Sequence, residues 1–384
     1  MTTTAFTSAP RAAENHNQLP VDFDLHGIVG IRLLNADAKD AAAVNRQLGP
    51  IRGQLDRDPD ITIRFVDILP TTSRLRYLGV NEAAFTDDAF LILKGKHKAY
   101  VKVQIPFDQV GGACEILCER GAPAVPLLIP IINLTALAKG ILPLHAAAFR
   151  YNETGVLVTG WSKGGKTETL LAFASHGAQY VGDEWIYITP DCKRMHGIPE
   201  PVRLWDWHLK SLPEYWPQLS TSERTRLRTL RLMLSGVDKM ANAKSGAPAR
   251  FMQRVQPLLK SQQHVNLPPQ TLFDQMPEQL SCTLDKVLFV ASHEVPDITV
   301  QPVDPQVIAQ RMVFSLEEER MDFLSYYHKF RFAFPDRPNR LLEQTENIQR
   351  TLLSRMLADK EAYEVYHPYP FEIPALYDAV SAVI

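Results

Sequence analysis

Residues 155–168 read Gly-Val-Leu-Val-Thr-Gly-Trp-Ser-Lys-Gly-Gly-Lys-Thr-Glu, and no other stretch constrains the fold of this chain as strongly. Val156, Leu157 and Val158 form a short apolar run of the kind a buried strand needs. From Thr167 to Ser175, Leu170, Leu171 and Ala174 recur at helical spacing before Gly177 ends the pattern. A glycine-rich loop therefore joins a strand to a helix. Within it, Gly160, Gly165, Lys166 and Thr167 satisfy G-x-x-x-x-G-K-[ST]. In such a loop the glycines let backbone N–H groups close around phosphate oxygens, the lysine reaches the β- and γ-phosphates, and the hydroxyl ligates Mg²⁺. The strand and helix aim the helix N-terminus, with its unpaired N–H groups, at the anion. The bland alternative is a glycine-rich turn that binds nothing, and the flanking elements weigh against it.

An acidic element follows. Residues 179–181 and 185–188 look like one strand interrupted at Gly182-Asp183-Glu184, which sets two carboxylates at a strand bend beside the loop. Phosphoryl transfer needs such groups, one to hold the metal across the phosphates and one to take or orient the attacking proton. In isolation, Asp183 and Glu184 read as a solvated turn; beside a phosphate loop they do not.

Taken together, Leu144-His145-Ala146, the loop from Gly160 to Glu168, His176-Gly177 and Val181-Gly182-Asp183-Glu184 resemble the catalytic domain of bacterial HPr kinase/phosphorylase. His145 lies 15 positions before Gly160 and Asp183 lies 17 after Lys166, as in that family. The likeness covers about residues 144–188. It implies an α/β fold with a P-loop kinase core of the HPr kinase / phosphoenolpyruvate-carboxykinase type, and transfer of a phosphoryl group from ATP to a serine-type hydroxyl. Carried over residue by residue, Gly160, Ser162, Lys163, Gly164, Gly165, Lys166, Thr167 and Glu168 form the nucleotide-binding loop. Thr167, Asp183 and Glu184 serve Mg²⁺, with Asp183 also the base and Lys166 on the β/γ-phosphates. His145 is either near the phosphates as a catalytic group or a hydrogen-bonded histidine packed behind the loop.

The departures matter as well. Lys163 stands at a family glycine and Gly164 at a small apolar position, so the loop's bend is expected to be redistributed over Gly164 and Gly165. Glu184 replaces a second Asp, with a longer arm. The family's later acidic Arg-Gly and Gly-Arg-Asn signatures are not recognisable, so neither HPr as acceptor nor phosphorolysis is expected. The acceptor is left as a protein, a peptide or a small molecule.

At 384 residues, 45% hydrophobic and 22% charged, the chain can bury a sizeable core, and two domains are expected. A net charge of −2 argues against a general nucleic-acid binder. Cys114, Cys118, Cys192 and Cys282 lack zinc spacing; the first two read as one face of a helix, and a reducing cytoplasm fits them. Residues 1–20 have no apolar core and read as a disordered arm. Residues 122–138 are the most apolar, but Pro123, Pro126, Pro130 and Asn133 break them, so a buried helix over 131–138 is expected and no membrane span.

Residues 21–110 read as a β-rich recognition or regulatory domain, with strands over 25–34, 61–68, 89–93 and 99–105 and a helix over 36–48. Residues 111–384 read as the kinase-like α/β domain, with a strand at 284–291, helices over 305–330 and 339–357, a last strand at 364–366 and a closing helix. Within it, residues 210–260 carry ten basic side chains against three acidic ones, around a small-residue centre at 242–248. This basic insertion is read either as a mobile lid over phosphates or an acidic partner, or as a solvated helical insertion.

Two functional classes stay open: an ATP-dependent kinase, and a nucleotide-gated regulatory ATPase without a phosphoacceptor. The acidic pair favours the kinase, because a carboxylate placed to accept a hydroxyl proton has no task in nucleotide sensing. Homo-oligomerisation is left open by the sequence.

Overall fold

The computed structural model describes residues 19–95, 100–241, 247–277, 279–369 and 372–384. The arm expected at the N-terminus falls almost wholly on residues 1–18, and the small-residue centre of the basic segment on 242–246; both lie outside the described residues. The chain is a mixed α/β protein.

It opens with β1 (Val21–Leu25) and β2 (Val29–Leu34), an antiparallel hairpin. A single strand was expected over 25–34. The split follows from His26 and Gly27, which take φ of 53° and 71° and turn the chain so that Phe23, Leu25, Val29, Ile31 and Leu33 all enter one core. Then come α1 (Ala38–Leu48), β3 (Ile61–Val66), β4 (Arg76–Leu78), β5 (Ala83–Phe85), β6 (Phe90–Lys94), β7 (Tyr100–Gln104) and β8 (Cys114–Glu119). Asp37 caps α1 by accepting from the N–H groups of Lys39 and Asp40. These strands form one sheet in the order β1-β2-β3-β8-β7-β6-β5-β4. Cys114 and Cys118 thus lie on a strand, not a helix. Cys114, Ile116 and Cys118 alternate into the core with period two, and a spacing of four shares a face in either structure.

The remaining elements are α2 (Leu128–Ala138), β9 (Leu142–His145), β10 (Ala147–Tyr151), β11 (Thr154–Gly160), α3 (Lys166–Ala174), β12 (Gln179–Gly182), β13 (Trp185–Ile188), β14 (Arg194–Gly197), β15 (Val202–Trp205), α4 (His208–Ser211), α5 (Thr221–Ala241) and α6 (Ala247–Ser261). They continue with β16 (His264–Leu267), α7 (Pro269–Leu272), β17 (Ser281–Thr283), β18 (Lys286–Ser292), β19 (Thr299–Pro302), α8 (Pro305–Ala333), α9 (Arg340–Leu357), β20 (Glu361–His367) and α10 (Ile373–Val380). A six-stranded sheet runs β12-β10-β11-β18-β20-β19, a four-stranded sheet β17-β14-β13-β9, and β15 pairs with β16.

In the six-stranded sheet β11, β18 and β20 are parallel, and both faces are covered. Val156 and Val158 share a core with Leu170, Leu171 and Phe173 of α3, while Leu157 joins one with Met312 of α8 and Leu353 of α9. The uninterrupted apolar run of β11 is the sequence trace of that double burial. The apolar residues 128–138 form α2, whose side chains enter the first core. Among the described residues no helix is long and apolar enough to cross a membrane.

Candidate functional site

Two places where the chain passes from one sheet to another build the site. β9 belongs to the four-stranded sheet and β10 to the six-stranded one; β12 and β13 make the same change in the opposite sense. The expected single interrupted strand over 179–188 is therefore two strands of two sheets. Glu184, at φ 77°, makes the corner, and its carbonyl accepts from Ala146 N–H at 3.1 Å, which locks the two crossings together. Because Trp185 pairs with His145 and Gly182 with Ala148, the register sets His145 beside Asp183 and Glu184.

The loop between β11 and α3 sits over this corner. Gly160 has φ 152°, and a Cβ there would stand 2.3 Å from the Val290 carbonyl oxygen; Gly165 has φ 110°, and a Cβ there would stand 2.3 Å from His367 Nε2. Both positions need glycine, for conformation and for space. Lys163 takes φ 63° itself. The bend expected over Gly164 and Gly165 is shared by Gly165, at φ 110°, and by Lys163, which takes the left-handed conformation itself. Ser162 and Lys163 are exposed on the loop's rim.

Lys166 is buried at the start of α3, and its ammonium donates to the Trp161 carbonyl at 3.0 Å. Burial draws its pKa down, against the nearby charges of Asp183 and Glu184. The Thr167 hydroxyl lies 3.2 and 3.0 Å from the two Asp183 carboxylate oxygens. Asp183 is 4% exposed. Burial, reinforced by the Glu184 charge, pushes its carboxyl up to about 7.

Glu184 points the other way. Its carboxylate meets His145 Nε2 at 3.1 Å, and that contact first of all holds its pKa low. His145 Nδ1 meets Glu319 Oε1 of α8 at 2.5 Å, and the ring stacks on Trp185 with centroids 5.7 Å apart. Burial alone would lower the His145 pKa; the two carboxylates outweigh it and hold the imidazole above its ordinary value. His145 is thus held between two carboxylates, Glu184 and Glu319, at the edge of the corner.

Glu168, expected in the nucleotide loop, lies in the first turn of α3. Its carboxylate is engaged by His208 Nε2 of α4 at 3.0 Å; burial would raise its pKa, and that bond outweighs burial and lowers it. The loop's Gly164 carbonyl accepts from His367 Nε2 at 2.9 Å, with His367 fully buried at the end of β20.

Of the expected site residues, Lys166, Thr167, Asp183, Glu184 and His145 come together at one corner. Glu319, His208 and His367 belong to the same constellation and carry no local signal. Glu319 sits in a charged run on a long helix, and His208 and His367 sit singly at element ends.

Among the described residues no three His, Cys, Asp or Glu side chains converge as a metal cage. Mg²⁺ asks for less, since it keeps several waters and takes one or two protein oxygens beside substrate phosphates. Thr167 Oγ1 and the Asp183 carboxylate supply hard oxygens side by side next to the buried Lys166, and this donor set fits Mg²⁺ with a polyphosphate. Neither a protein-family model nor a curated protein matches the chain.

Proposed function

We propose that this chain is an ATP-dependent kinase of the HPr kinase/phosphorylase type, with a P-loop core, that phosphorylates a serine-type hydroxyl on a protein, peptide or small molecule. The observation that carries this reading is Asp183: a buried carboxyl raised to about 7, hydrogen-bonded to the loop threonine and close to the loop lysine. A base works best when its pKa lies near the working pH.

In this reading Lys166 binds the terminal phosphates of ATP and offsets charge that spreads over the transferred group. Thr167 and Asp183 hold Mg²⁺, which when bound supplies further neutralisation of the phosphates. Asp183 accepts the proton of the acceptor hydroxyl as its oxygen bonds to the γ-phosphorus and the bond to the ADP oxygen breaks. His145, fixed by Glu319, favours the ionised form of Glu184 through its hydrogen bond at the edge of the site. Burial of Lys166 and Asp183 lowers the local dielectric and strengthens each of these interactions.

One observation favours the regulatory ATPase. Both Asp183 oxygens lie against Thr167, as suits a carboxylate that serves only the metal. Asp183→Asn separates the two. For a kinase, nucleotide affinity measured without Mg²⁺ should stay nearly intact while transfer to acceptors, followed by mass spectrometry after incubation with γ-labelled ATP and cell lysate, falls roughly 10²–10⁴-fold. Acceptor labelling that is unchanged in the variant would remove Asp183 as the base, and ATP hydrolysis with no labelled acceptor in either protein points to the ATPase.

A further inference from the structure

The loop, Lys166 and Thr167 account for the phosphates of a nucleotide and leave its base without a place. Where that base can lie is limited by the direction of transfer. In-line transfer sets the acceptor oxygen and the departing ADP oxygen on opposite sides of the γ-phosphorus. With Asp183 on the acceptor side, the nucleoside leaves the loop on the side turned away from Asp183.

Glu168 marks that side. It follows Thr167 in α3, so its side chain points about 100° around the helix from the one that meets Asp183. Its carboxylate meets His208 Nε2 at 3.0 Å, which fixes α4 against the first turn of α3. Trp207, one residue before His208, is half-buried there, with its ring centroid 4.1 Å from that of the histidine. A second tether reaches the same place from β20. His367 Nε2 meets the Gly164 carbonyl at 2.9 Å, and Tyr369 lies two residues further along the chain. The Trp207 and Tyr369 rings meet with centroids 6.3 Å apart and planes at 87°.

Two perpendicular rings make the walls of a corner. A flat ring that stacks on one of them presents its edge to the other, and both arrangements suit the aromatic quadrupole. Tyr369 is 66% exposed, so the core gains little from it and its surface is open to a visitor. Every nucleobase has a π-face that such a wall can hold. A two-ring purine covers more of the corner than a one-ring pyrimidine and removes more apolar area from water. We propose that Trp207 and Tyr369 form the base subsite of the nucleotide and hold a purine there by stacking. The assignment rests on the kinase reading in needing a nucleotide on the loop, and it goes beyond that reading in naming the residues that hold the base.

Tripolyphosphate carries the phosphates without the base, and it separates the subsite from the loop. In calorimetric titrations of the full chain with Mg²⁺ present, Tyr369→Ala and Trp207→Leu should each weaken ATP binding roughly 5- to 150-fold, the range of a base–aromatic stack. Tripolyphosphate affinity should stay within about twofold of the wild type in both. Trp207→Phe should recover most of the ATP affinity that Trp207→Leu loses, and the wild type should bind CTP more weakly than ATP. Because the Tyr369 side chain is exposed, Tyr369→Ala keeps the test decisive even if Trp207→Leu fails to fold. ATP affinity unchanged in a folded variant, or CTP bound as tightly as ATP, overturns the subsite and leaves the kinase reading standing. Equal weakening of ATP and tripolyphosphate would show that the aromatic pair only props the loop, and overturns it as well. Should the wild type bind neither ATP nor tripolyphosphate, the kinase reading fails and the subsite with it.

Discussion

Asp183 couples the chemistry of the site to the stability of the fold. Its carboxyl titrates near 7 in the folded chain against an ordinary value of 3.8, so the folded state holds a proton that the unfolded state has released over that range. Stability from this group is complete below about pH 4 and is lost as pH rises through about 7. Asp183→Asn removes the penalty. Urea unfolding should show the variant more stable than wild type at pH 8 by on the order of 1–3 kcal/mol and nearly equal to it at pH 4 to 5. The same gap at both pH values would refute the raised pKa. For His145, Glu319→Gln deletes one of the two carboxylates that hold its pKa up, and an NMR titration should find it lowered relative to the wild type. In Gly165→Ala, the new methyl group meets both φ 110° and the His367 ring. A loss of about 2 kcal/mol or more is expected, partly recovered by His367→Gly because the clash and not the dihedral is relieved.

At the scale of elements, the basic insertion is only partly the free lid that charge alone suggests. The first part of α5 is tied down: Arg231 reaches Asp206 at 2.6 Å, Arg226 donates to the carbonyls of Gln262 and His264, and Leu227 and Leu234 are buried. Asp206 lies two residues from His208, which holds Glu168 in the first turn of α3. Amides over residues 225–234 should therefore exchange slowly in the free protein, and Arg231→Met should speed them with little effect on residues 341–356 of α9. Rapid exchange over 225–234 in the wild type would restore the mobile-lid reading. The sequence revealed an excess of positive charge here but not its anchors, since the carbonyls of Gln262 and His264 and the carboxylate of Asp206 become partners only through folding.

At the scale of the whole molecule, the first sheet does not close its own core. Phe323, Tyr327 and Phe330 of α8 pack into it, with Phe107 ringed by all three at centroid distances of 5.3, 6.2 and 5.5 Å. Asn339 donates from its side-chain amide to the carbonyls of Phe107 and Val110, both at 2.8 Å. The sheet also runs on to Glu119, past the boundary near residue 110 expected from composition. A fragment of residues 19–120 should accordingly lack a cooperative thermal transition and bind a hydrophobic dye, whereas the full chain melts cooperatively. A fragment with a sharp transition of its own would mean that the α8 aromatics are dispensable there.

The sequence by itself determined the glycine-rich loop, the strand and helix around it, the acidic pair, and the extents of α1, α8 and α9. Each is written in neighbouring residues: an apolar run for a strand buried on both faces, a 3.6-residue period for a helix, glycines where no Cβ fits. Only the tertiary structure decided that 179–188 is two strands in two sheets, that Lys163 keeps the left-handed turn, and that Glu168 belongs to His208. It also decided that Glu319 holds His145 from 174 positions away and that His367 supports the loop from 203. These depend on which strand edges pair and which helix lies across them, outcomes settled by complementarity summed over the whole chain. A single glutamate on a charged helix face or a histidine at a strand end has the same local signature whether it meets this buried corner or water.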